Sequence, residues 1–395
     1  MIFDETTYRL ESKPGIGRII LIIGLLGLIA GAAGYLVDAH RFFYSYLVAW
    51  TFWMSLALGG LFFTMLHHIV AARWSTVLRR LSENVMATIP VMMLFFIPVL
   101  AGLGHLYHWS HPEYMAAEPI LAGKTAYLNV PFFIARTAIY AAVWIILAWL
   151  LYRMSLAQDK NGADSPWFRR IRVISGLGLI LFALTVTFAA VDWLMTLDAH
   201  WYSTIFGVYF FSGALLGFLV FLTLLIIILK RLAVLTCSIT VEHYHDLGKL
   251  AFAFVIFWAY MAFSQYFLIW YGNIPEETLW FLHRWDHSWK FVSLALVLGH
   301  FLVPFLILFP HTAKRNPAVL TVMALWILIM HWIDIFWLVM PALTPDGFRL
   351  SWIDISLTVG LGGVFVYSLW RLTTRHPLVP VGDPTLEDSV DFGKH

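Results

Sequence analysis

The chain is poor in cysteine, poor in charge, and nearly free of long polar segments. Its 395 residues include one cysteine, Cys237. That excludes an intrachain disulfide, a haem attached through a CxxCH motif and a cysteine-held iron–sulfur cluster. Charged residues make up 12% of the chain, against about 25% in soluble domains. A water-facing globular surface cannot be covered with so little charge. The formal net charge of +2 sums two differently charged faces and so gives no sign of a nucleic-acid partner. No nucleic-acid partner is expected.

Apolar sequence fills the space that charge leaves. Ten apolar stretches run over 16–37, 43–71, 85–107, 128–152, 172–196, 202–229, 248–271, 289–309, 318–340 and 352–370. Each is long enough to cross a hydrocarbon core of ~30 Å at ~1.5 Å per residue. They are continuous rather than alternating in period two, so barrel strands are excluded in favour of helices. The sequence predicts an all-α, multi-pass integral membrane protein. The first stretch is too long for a cleavable signal and lacks a small-residue cleavage site.

Positive charge sits in every second gap. Arg9, Lys13, Arg18, Arg73, Arg79, Arg80, Arg153, Lys160, Arg169, Arg170, Arg172, Lys230, Arg231, Lys249, Lys314, Arg315, Arg371, Arg375 and Lys394 account for 19 of the 25 basic residues. The alternate gaps hold Arg41, Lys124, Arg284, Lys290 and Arg349, and Arg136 lies inside a stretch. Basic residues stay on the cytoplasmic side, so both termini are expected there. Tails 1–15 and 373–395 read as short polar segments along a partner or the membrane surface. The outer gaps 108–127 and 272–288, rich in Trp, Tyr, His and Pro, read as interfacial caps.

The stretches group as one, four, four and one. Residues 16–37 form a first peripheral helix, 43–196 a first four-helix bundle, 202–340 a second, and 352–370 a last helix. Tyr44-Ser45 and Gly59 match Tyr202-Ser203 and Gly217 at one common offset, and Asp192 and Asp334 lie near the outer ends of corresponding spans. This suggests a parallel repeat. Small residues in Gly24 to Gly34 and Gly360 to Gly363 suit close helix packing.

Ionisable groups at membrane depth cost roughly 2.5–3.5 kcal/mol each by insertion scales, and need a partner, water or a function. Arg136 and Asp192 lie on neighbouring spans and are expected to pair, either as a structural clamp or as the polar wall of a quinone or proton site. His331 and Asp334 share one helix face, His300 lies midway along the preceding span, and Asp354 and Gln265 lie at similar outward depth. A proton path from Lys249 through His300 to Asp334 follows, with Ser264 and Tyr260 as bridging hydroxyls; satisfied core polar groups are the other reading. His67 and His68 read either as the corresponding inner mouth in the first unit or as an interfacial pair. His105, His108 and His111 have helical spacing, but no carboxylate joins them, so His105 reads better as a partner for a quinone carbonyl than as a metal ligand.

The run Val191-Asp192-Trp193-Leu194-Met195-Thr196-Leu197-Asp198-Ala199-His200-Trp201-Tyr202-Ser203-Thr204-Ile205-Phe206-Gly207-Val208-Tyr209 resembles a stretch of the membrane subunits of alternative complex III, a bacterial quinol:cytochrome c oxidoreductase, which implies a bacterial inner (plasma) membrane as the location. Those subunits are related to the NrfD-like (polysulfide-reductase) membrane proteins, built from two four-helix bundles. Of the two homologous large subunits, the chain is more similar to the ActF type than to the ActC type. The resemblance implies a subunit without its own redox centre, beside its homologue ActC and smaller membrane subunits. Iron–sulfur clusters and haem c would lie in periplasmic partners, with quinone or menaquinone as the mobile carrier. A secondary transporter and a purely structural anchor for an electron-transfer module remain the other readings.

Overall fold

A computed structural model describes residues 8–11, 14–162, 167–236 and 238–393. Cys237 lies outside them. Among the described residues there is no strand, and ten helices are long and apolar enough to cross a membrane. Lipid offers backbone groups no hydrogen bonds, so each crossing segment closes its own as a helix.

We label the main helices α1 (Pro14–Val37), α2 (Ala39–Val70), α3 (Thr76–Met86), α4 (Val130–Asn161), α5 (Trp167–Trp193), α6 (Phe206–Arg231), α7 (Val241–Gly272), α8 (Trp289–Ala295), α9 (Pro317–Val339) and α10 (Trp352–Thr373). Local sequence sets several starts. The carboxylate of Asp38 accepts from Arg41 N at 2.9 Å at the head of α2, and Asn129 accepts from Phe132 N at 2.9 Å before α4. Asn316 does the same for α9, and Ser351 with Asp354 forms a reciprocal capping pair before α10.

Two spans depart from the expected single helix. The third begins at Thr76 rather than 85, then breaks into Ile89–Leu94, Ile97–Ala101 and Leu103–Leu106. Pro90 and Pro98 lack the backbone donor a continuous helix needs. The eighth continues from α8 through a π-helical turn, Leu296–Leu302, into Val303–Leu308. Pro304 cannot donate to the carbonyl of His300, and the wider turn accommodates the missing bond.

At the centre, α2 and α6 pack on each other and are almost wholly buried. Gly59 of α2 lies against Phe218 and Ala214 of α6. Around this axis α2 also meets α5, α9 and α10, while α6 meets α5, α7 and α9. The two helices that begin the sequence repeat therefore form the seam between its halves. α1 is mostly exposed and packs on α10, where Gly24 and Gly27 meet the backbone of Gly363 and Gly360.

Two expectations about the loops and tails are corrected. Arg79 and Arg80 are fully buried within the fold rather than free in a gap. Both pair with Glu83, at 3.1 and 3.2 Å; Arg80 also pairs with Asp159 at 2.5 Å, and Arg79 with Asp383. The C-terminal segment is likewise no free polar tail. Leu378, Val379 and Leu386 are buried, Leu378 N donates to Tyr8 O at 2.9 Å, and Ser389 Oγ donates to Trp74 O at 2.7 Å. The described N- and C-terminal segments thus meet on one face, the one the charge pattern predicts to be cytoplasmic.

Candidate functional site

Arg136 and Asp192 meet between α4 and α5 near the outer ends of both helices. The guanidinium donates from Nε to one carboxylate oxygen at 2.8 Å and from Nη2 to the other at 3.0 Å. Tyr140 Oη donates to Asp192 at 2.7 Å, and Arg136 Nη1 donates to Tyr127 O at 3.0 Å. The rings of Tyr127 and Phe132 cover the guanidinium carbon at 3.9 and 4.3 Å. Asp192 is wholly buried and both its oxygens are taken. A two-pronged pair with its remaining donors satisfied is the stable way to hold such charges out of water. Three donors fill most of the acceptor capacity of the carboxylate, an arrangement that suits a structural clamp.

The second constellation is differently built. Asp334 of α9 is buried and accepts from Tyr209 Oη of α6 and from Trp258 Nε1 of α7, the latter at 3.0 Å. Among the described residues no cation lies within ion-pair distance of it. Trp258 stacks obliquely on His300, with ring centroids 4.1 Å apart, and His300 lies 6.4 Å from His331. His331 Nε2 is 2.8 Å from Ser55 Oγ of α2, and Ser55 donates to Phe52 O at 2.7 Å. With the serine proton on Phe52 O, Nε2 would hold the proton of His331 and Nδ1 would be left as a lone pair. His331 Nδ1 and both ring nitrogens of His300 are buried without a hydrogen-bond partner.

Sequence and packing explain why these groups converge. The π-helical turn carries His300, and such turns recur at functional sites. Gly213 and Gly217 leave α6 flat where the His331 ring lies; a Cβ on Gly217 would meet that ring. The polar chain therefore runs Tyr209, Asp334, Trp258, His300, His331, Ser55 through five elements. At ~1.5 Å per residue it reaches from about 8 Å below the outer end of α9 to the middle of the bundle.

Other predicted residues fall elsewhere. Asp354 pairs with Arg41 and accepts from Ser45 Oγ at 2.5 Å and from Ser351 N at 2.7 Å, a closed cluster at the outer head of α2. Ser45 lies ten residues before Ser55 on that helix, ~15 Å away, so Asp354 is not joined to the Asp334 chain. Gln265 bonds Ser203 at 3.0 Å. Tyr260 is exposed on the lipid side and so cannot bridge Lys249 to His300. Lys249 pairs with Asp246 at 2.5 Å at the rim of a cleft of about 280 Å³ that His67 also lines. The two expected inner mouths are one cleft. His67 Nδ1 is 2.8 Å from Ser75 Oγ, and His68 Nε2 is buried without a partner. His105 stacks on Phe43 at 4.9 Å with Nδ1 unpartnered. His111 turns back to Gly104 O at 2.9 Å, and no group of three potential metal ligands forms among the described residues.

Sequence reading passed over Ser55, Tyr209, Trp258 and Arg284. Tyr209 closes the run that carries the resemblance, but a hydroxyl or an indole in apolar sequence carries no signal of what it will face. Arg284 is buried near the outer ends of two helices. It donates to Trp280 O, Trp337 O and Leu338 O at 3.0, 3.2 and 2.9 Å, and lies 3.4 Å from the Trp280 ring. Burial lowers it to about 9, and it remains a cation at neutral pH. The carbonyl ends of α9 and of Pro275–His283 take the place of a carboxylate partner.

No protein-family model and no curated protein matches the chain.

Proposed function

We propose that the chain is a membrane subunit of a respiratory quinol:electron-acceptor oxidoreductase, and that its part is to move protons without a redox centre of its own. The single observation that carries this reading is the Asp334 chain. A buried carboxylate held only by neutral donors can exist charged or protonated without breaking an ion pair. Two imidazoles with unpartnered nitrogens lie inward of it. The resemblance of the 191–209 run to alternative complex III membrane subunits supports the setting. Electrons would stay in partner iron–sulfur and haem c proteins.

In this reading Asp334 exchanges a proton with the outer side past Tyr209, and His300 and His331 hold protons farther in. Asp192 and Arg136 fix the first unit. His105, half-buried with a free Nδ1, is the group best suited to a quinone carbonyl.

The test uses the complex that co-purifies with the tagged chain, reconstituted in liposomes and driven by quinol. Asp334→Asn and His300→Phe should each lower proton release at least about tenfold while assembly and haem absorbance persist. Undiminished release in both variants would remove the relay. Purification of the chain free of haem-containing companions would remove the oxidoreductase setting and favour a transporter.

A further inference from the structure

A second cleft lies away from every group discussed above. It encloses about 510 Å³ between the broken third span and α4, with Pro90, Trp149, Tyr152, Arg153, Lys160 and Leu372 among its lining. Its origin is local. The third span interrupts its helix between Met86 and Ile89, and Ala87, Ala148 and Ala157 keep the floor low.

Depth along α4 shows what the cleft faces. The helix has 32 residues, ~48 Å, and overshoots a ~30 Å hydrocarbon core. Counted from its outer end, Trp149 comes after ~28 Å, at the inner margin of the core, where indoles favour the headgroup boundary. Arg153 and Lys160 come after ~35 and ~45 Å, in the headgroup zone. The cleft is thus apolar at its membrane end and basic at its aqueous end.

Charge on this helix is segregated. Asp159 turns inward to Arg80 and Gly382 N. Arg153 and Lys160 are exposed, and neither is in an ion pair among the described residues. Arg153 lies over the Trp149 ring at 5.1 Å. Just beyond the rim, His376 packs on Tyr152 with ring centroids 6.2 Å apart, and Arg375 is exposed beside it. Burial first, then the cations Arg80, Arg375, Arg9 and Lys160, hold the His376 imidazole below its ordinary value. The local potential is positive.

An apolar trough that ends in unpaired cations at headgroup depth matches an anion carrying a hydrocarbon tail. We propose that this cleft binds one anionic phospholipid, its phosphate between Arg153 and Lys160 and an acyl chain along the notch at Pro90. Basic pockets between membrane helices select such headgroups by charge. The proposal is independent of the proton reading, because no residue is shared.

Native mass spectrometry of the delipidated full chain, with any companions that stay bound, tests it. Cardiolipin or phosphatidylglycerol should persist as a single adduct at collision energies that strip phosphatidylethanolamine. Arg153→Gln combined with Lys160→Gln should weaken retention about tenfold, with helix content by circular dichroism unchanged. Ala157→Leu should also weaken it by filling the floor without touching charge. Equal retention of the zwitterionic lipid would overturn the proposal, as would undiminished binding in the charge variant. So would displacement by equimolar inorganic phosphate, which would reveal a site for the free ion. Photocross-linking from position 156 to a companion protein instead of lipid would assign the cleft to a helix contact.

Discussion

At the scale of single residues, the buried carboxylates divide by their partners. Asp192 and Asp354 each face an arginine and further donors, whereas Asp334 faces only a phenol and an indole. Removing one side of a buried pair strands the other charge at a cost of about 3–5 kcal/mol. Asp192→Asn and Arg136→Gln should therefore each lower the unfolding midpoint in detergent strongly, and the double variant should recover much of the loss. Additive losses would mean the two side chains act apart. Asp334→Asn leaves one neutral donor unpaired, about 1–3 kcal/mol, and should lose activity out of proportion to stability. Asp192 and Asp334 occupy equivalent-looking places in the sequence. Their partners, one cationic and one neutral, give them different chemistry.

At the scale of elements, glycine sets how near helices come. Gly27 and Gly360 bring α1 and α10 into backbone contact, so neither position has room for a Cβ. Gly27→Leu should detach α1 from α10, measured as cleavage in the loop at Asp38 and a lowered midpoint, with the centre formed by α2 and α6 retained. Loss of the whole fold would show that α1 is integral to it. The small-residue stripes were readable as packing signals before any coordinates, because close approach in lipid needs them. The π-helical turn at His300 was less so: Pro304 announced a kink, but the neighbours that decide between a kink and a wider turn lie on other helices.

For the whole molecule, the C-terminal segment ties together the helix ends on the face that the charge pattern predicts to be cytoplasmic. Asp383 is buried, which favours its neutral form, but Arg79 and the donors of Thr385 outweigh burial and hold it below the usual carboxylate range. Its folded form gives up its proton more readily than the unfolded chain. Its stabilising contribution is therefore complete above the unfolded value of about 4 and is lost as pH falls through the depressed folded value. Limited proteolysis with an acid-active protease should find the segment protected at pH ~5 and released once the pH is well below the unfolded carboxylate value. Asp383→Asn should release it at both. Protection of that variant at pH ~5 would assign the docking to Leu378, Val379 and Leu386 alone.

Span number, helical class and the sidedness of charge were legible in the chain, because lipid imposes a one-dimensional rule: every crossing stretch must be long, apolar and self-bonded. The Arg136–Asp192 pairing was legible for a related reason, since two opposite charges on adjacent spans have few other places to go. Nothing in the order of residues announced that Ser55, Tyr209 and Trp258 would gather around Asp334 and the two histidines, that Asp383 would fold back onto Arg79, or that Arg153 and Lys160 would share a cleft. Those arrangements depend on contacts between helices far apart in sequence, and a neutral hydroxyl or indole has no charge to betray its partner. Tertiary packing alone decided which buried acid faces a cation and which faces only neutral donors.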